Sequence, residues 1–147
     1  MEYHEEPMIE RQIFEEDFEK ASNAYLMSLV SLMISFPLPI VNLIATSLYL
    51  NFNRRENNFV RWHCYQSLFS QIFLLFFNSP SLYFIIKYYL KEEWPPLPIM
   101  VFIGFVVLLN ILEYIATAYA ASVVRNGRNI RWWGLSELAD RVVGVNK

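Results

Sequence analysis

Residues 97–122 make one apolar stretch with a carboxylate near its middle; the segment 106–121 reads VVLLNILEYIATAYAA. As a helix, 26 residues rise roughly 39 Å, enough to cross a hydrocarbon layer of about 30 Å. A chain of 147 residues has little core in which to hide such a segment. Further apolar blocks at 22–52 and 59–90 repeat the problem, and a bilayer is the solvent that resolves it. Composition agrees: 55% of residues are hydrophobic, only 18% are charged, and the mean hydropathy is +0.26. The class expected is all-α, a polytopic membrane protein built as a four-helix transmembrane bundle with amphipathic N- and C-terminal segments.

Three regions follow from the pattern: an acidic amphipathic segment, 1–21; a helical membrane domain, 22–122; and a basic tail, 123–147, ending in a short interfacial helix. The first twenty residues hold eight acidic and two basic side chains, the reverse of a signal-peptide n-region. The first membrane helix is therefore expected to be retained. Ile9, Ile13, Phe14 and Phe18 fall on one helical face of the acidic segment. Its charge suits basic loops better than anionic lipid.

Pro37 and Pro39 interrupt 22–52, because proline removes a helix donor and clashes with the preceding turn. A single kinked span and a hairpin of two short helices, 22–36 and 39–52, both fit. The hairpin is preferred, since it returns the acidic segment to the side of Arg54, Arg55 and Arg61. A long third helix, 59–90, should bend near Pro80, and a proline-rich turn at 91–98 leads into the fourth. Arg54, Arg55, Arg125, Arg128 and Arg131 mark the cytoplasmic side of a bacterial inner membrane, with both chain ends there. These arginines are candidate lipid or partner contacts, and Trp132 and Trp133 are candidate interface anchors.

Each expected helix carries a small or polar stripe: Ser28, Ser31 and Ser35; Asn42, Ala45, Thr46 and Tyr49; His63, Ser67, Ser70, Gln71 and Asn78; Asn110, Glu113, Thr117 and Ala120. Measured from the charged ends, Asn42, Gln71 and Glu113 each lie about 15 Å deep. Asn42, Gln71, Asn110 and Glu113 are thus expected to form an intramembrane polar cluster, with Glu113 facing the bundle because lipid exposure is costly. Packing glue accounts for such stripes more readily than a proton relay, which needs several ionisable groups in sequence. His63 is expected at the third helix's start, facing headgroups or loops.

No metal-ligand pattern, phosphate loop or nucleophile elbow stands out, and Cys64 is the single cysteine. No enzyme, cofactor or nucleic-acid role is expected.

The stretch ATSLYLNFNRRENNFVRWHCYQSLFSQI, 45–72, joins an apolar helix, a short Arg/Asn loop and a long helix opening with Phe59, Arg61, Trp62, His63, Gln66 and Ser67. It resembles the twenty-kilodalton channel-type subunit of the chloroplast inner-envelope import translocon and its bacterial relatives. Trp62 stands where that pattern has Phe. The later YAASVVRNGRNIRWWGLSELADR resembles the same family's small-residue helix, basic turn and terminal helix, so the likeness runs over roughly 23–141. It implies four membrane helices with both ends on the cytosol-like side and a non-enzymatic subunit. In such a subunit, Phe59 to Ser67 would dock the cytoplasmic mouth, with Arg61 against phosphate or the acidic N-terminal segment and His63 and Gln66 against neighbouring loops.

The function expected is a membrane subunit or scaffold of a larger inner-membrane complex, linked to protein translocation, with lipid and other membrane proteins as partners. The alternative is a small channel or proton-linked transporter using Glu113. The oligomeric state stays open.

Overall fold

The computed structural model describes residues 15–35 and 39–144, with 32, 34, 35 and 39 described in backbone alone. Five helices and no strands make up the described residues: α1 Glu15–Ser35, α2 Pro39–Phe52, α3 Asn58–Lys91, α4 Leu97–Arg125 and α5 Leu135–Val143. Ile9, Ile13, Phe14 and the Pro37 turn lie outside them, as does the side chain of Ser35. Breaks fall where the backbone chemistry requires them. Asn57 caps α3 by accepting the Val60 N–H at 2.9 Å, and Pro98 sits in the first turn of α4, where no helix donor is needed. α3 closes on Glu92 in the left-handed region, and α5 closes on Gly144.

One difference from the sequence reading concerns a helix limit: α1 begins at Glu15 rather than 22, so the end of the acidic segment belongs to the bundle. α3 is a single α-helix of 34 residues with Pro80 inside it, close to the expected 59–90. Among the described residues, only α3 and α4 are both long and apolar enough to be candidate spans; α2 is a shorter apolar helix. α1 packs on α2, α3 and α4, while α5 packs on α3.

The core sits where α1 meets the first half of α3 and the end of α4. Ala21, Tyr25, Phe59, Ala120, Ala121 and Val124 form it, with Phe18 and Trp132 packed alongside. Alanines let the α1 and α4 backbones approach closely. Ser22 uses that approach, donating to the Ala121 carbonyl at 2.8 Å. Outward faces are strongly apolar. Phe105, Leu108, Leu112, Ile115 and Tyr119 of α4 are all exposed.

Candidate functional site

Polar side chains occupy the interior in layers, each drawn from several helices. One layer centres on Gln71 of α3. Its amide nitrogen donates to Ser28 Oγ on α1 at 2.6 Å and to Glu113 Oε1 on α4 at 2.8 Å, and its oxygen accepts from Asn42 on α2. Ser70 and Thr117 add donors to the same Glu113 oxygen at 2.5 and 2.9 Å. One residue thus ties all four long helices together, and three donors converge on one carboxylate oxygen. The stripe spacing places these groups on facing surfaces, because residues three and four apart share one side of a helix.

Asn110 does not join this group. It pairs with Asn78, the two amides exchanging bonds of 2.7 and 3.1 Å, and also donates to the Val106 carbonyl. The expected single cluster is therefore two. Asn110 and Glu113 lie only a turn apart, but each amide or carboxylate is satisfied by the α3 residue at its own level.

A second layer lies nearer the end of the bundle that carries α5. His63 is fully buried rather than facing headgroups or loops. Its Nδ1 lies 2.8 Å from the Tyr25 hydroxyl, and Gln66 donates to that same hydroxyl at 3.0 Å. Which of the two donates follows the tautomer of the ring, and among the described residues Nε2 is buried with no hydrogen-bond partner. The ring packs edge-on to Phe59 and Trp62, with centroids 4.6 and 4.8 Å away. Helix periodicity explains the correction, because His63 falls on the same face of α3 as Phe59, Gln66 and Ser67. Ser67 donates to the Ala24 carbonyl at 3.3 Å.

The basic tail is fastened rather than loose. Gln66 donates to the Ile130 carbonyl at 3.3 Å and accepts from the Trp132 N–H at 3.4 Å. Trp62 donates its indole N–H to Asp140 Oδ1 at 2.8 Å, and Arg131 pairs with the other carboxylate oxygen of Asp140. The Arg131 guanidinium also lies over the Trp62 ring, 5.2 Å from its centroid. Three readings change here. Arg131 has an internal partner, so it is not simply a lipid contact. Trp132 is half-buried and tilted against Tyr25, while Trp133 is exposed. Phe59, Trp62, His63, Gln66 and Ser67 make a buried packing motif and not an open docking mouth.

The acidic and basic segments meet, through different residues from those expected. Arg61 reaches Asn58 in its own helix at 3.5 Å, whereas Arg125 approaches Glu19 at 3.8 Å. Lys20 bridges Glu16 at 2.8 Å and Glu56 at 3.2 Å. The hydrogen bond to Lys20 lowers the Glu16 carboxyl below its usual range, and the same contacts raise Lys20. Arg54, Arg55 and Arg128 are exposed.

Two residues of this interior escaped the sequence reading. Tyr25 looked like one more apolar position, and nothing local marks a phenol that will find a histidine. Asp140 had a signal: it is an acid with Arg131 and Arg141 as its basic neighbours in the tail. Among the described residues, no group of three or more His, Cys, Asp or Glu is placed to hold a metal ion.

The sequence model of the magnetosome magnetite crystal formation protein family matches residues 19–134, so the chain belongs to that family. No curated protein and no solved structure gives a significant match. The resemblance to the import-translocon subunit is thereby corrected, and the translocation link falls with it. Of the residues that carried the resemblance, Phe59, Trp62, His63, Gln66 and Ser67 are buried in the packing of this bundle.

Proposed function

We propose that the chain is a non-enzymatic integral membrane scaffold acting in magnetosome magnetite crystal formation. One observation carries the membrane part. Only 6% of the most apolar 18-residue stretch of α4 is buried, so this helix is not the core of a soluble fold. Water would penalise such a surface heavily, whereas lipid accepts it. The inward polar layers support the same reading, since interior hydrogen bonds between helices replace the absent hydrophobic drive in a bilayer. In this reading the α1–α2 pair completes the bundle, and the positive-inside preference of the arginines at 54, 55, 125 and 128 supports a cytoplasmic side for both described ends.

The family supplies the process. A scaffold role fits an interior in which polar side chains bond to one another. The test is deletion of the gene in a magnetite-forming bacterium, with crystal number and size measured by electron microscopy. Loss or shrinkage of crystals, restored by the intact chain, supports the proposal. Crystals unchanged by the deletion would remove the assignment.

A further inference from the structure

The geometry points to a second membrane contact outside the spanning helices: α5 lies on the bilayer surface and takes anionic lipid headgroups. The inference rests on the membrane reading above. At 100° per residue, α5 divides into three faces. Ser136, Ala139 and Asp140 are buried against α3, and Asp140 is locked there by Trp62 and Arg131. Glu137 and Arg141 point to a second, charged side. The third side carries Leu138 and Val142, which are 44% and 48% exposed although apolar. Trp133, just before the helix, is 97% exposed.

A helix of a soluble domain needs two faces, one for its core and one for water. Three faces fit an element that touches protein, lipid and water at once. Trp133 beside the apolar side matches the preference of indole for the headgroup layer. Charge complementarity selects the lipid. Arg128 stands exposed in the segment that leads into α5, next to the exposed Arg125, which Glu19 approaches at 3.8 Å, and anionic leaflets attract such residues. The Asp140 latch fixes the helix, so its apolar side is presented without being folded anew on contact.

The experiment uses the full chain in vesicles, with nitroxide labels on Leu138→Cys, Val142→Cys and Glu137→Cys, and on Leu112→Cys as a spanning control. Cys64 is buried, so unmutated chain serves as the labelling blank. Oxygen and a water-soluble nickel chelate compete as relaxants. At Leu138 and Val142 the oxygen-to-nickel ratio should be severalfold above that at Glu137. In phosphatidylcholine with phosphatidylglycerol, Arg128→Glu should lower the Leu138 ratio, and in phosphatidylcholine alone it should not. A Leu138 label as nickel-accessible as Glu137, while Leu112 stays shielded, overturns the proposal and leaves the membrane reading standing. A Leu138 label shielded from both relaxants until unlabelled chain dilutes it means that a second copy covers this face, which also overturns it. Equal effects of Arg128→Glu in both vesicles remove the anionic preference. Nickel access at Leu112 sinks the membrane reading, and this inference with it.

Discussion

Replacing Glu113 tests whether its acceptor oxygen or its charge matters. Glu113→Ala deprives three donors of one oxygen, but they do not suffer equally. Ser70 and Thr117 can turn onto carbonyls of their own helices a turn earlier. Gln71 keeps its bond to Ser28 at 2.6 Å and loses one of two acceptors. Interhelical hydrogen bonds in membrane proteins average about 0.6 kcal/mol and reach about 1.7. Two of the three bonds are interhelical, so the expected loss is about 1–3 kcal/mol, with the small void left by the side chain included. At about 2–4 °C per kcal/mol, that lowers the melting midpoint by several degrees. Glu113→Gln retains an oxygen where Oε1 stands, and its loss should stay under about 1 kcal/mol. Tryptophan fluorescence during heating in mild detergent reads both. A Gln variant as damaged as the Ala variant would refute the acceptor argument and point to the negative charge. An Ala variant indistinguishable from wild type would show that the layer contributes nothing. Proton flux lost in Glu113→Gln liposomes at full protein stability would revive a transporter role.

Other outcomes follow from the same contacts. Asp140→Ala strands the buried Trp62 indole N–H, at about 1–3 kcal/mol, and frees α5; trypsin should then cut faster at Arg131 and Arg141, and an unchanged rate would contradict the latch. Tyr25→Phe removes the hydroxyl shared by His63 and Gln66 and should cost about 1–2 kcal/mol, read as a lower melting midpoint. The first turn of α1 should depend on pH at both ends of the scale. The Glu16 carboxyl is depressed, so its contribution is present above the unfolded carboxyl range and is lost as pH falls through the folded value. Lys20 is raised, so its contribution is present below the unfolded lysine range and is lost as pH rises through the folded value. Helicity of that turn, followed by NMR shifts of residues 15–20, should peak between these limits; a flat profile would contradict the bridge.

Hydrophobic blocks and proline positions made the helices legible, since they act through local rules. α2 was expected at 39–52 and runs Pro39–Phe52. Depth counting also brought Asn42, Gln71 and Glu113 to one level, because helix rise is nearly constant. What escaped depends on rotation and on long-range partners. Asn110 sits on the stripe of Glu113 but answers to Asn78, a choice made by the register between α3 and α4. The burial of His63 required knowing that Tyr25, 38 residues earlier, crosses at its height. Arg131 read as a surface cation because its partner, Asp140, becomes a neighbour only after α5 docks on α3.

The most direct test of the central claim is an alkaline carbonate wash of membranes from a bacterium expressing the tagged chain. An integral bundle stays in the pellet with known spanning proteins and leaves it only with detergent. Release into the wash with peripheral proteins would contradict the account, because the exposed apolar faces of α3 and α4 would then need another cover.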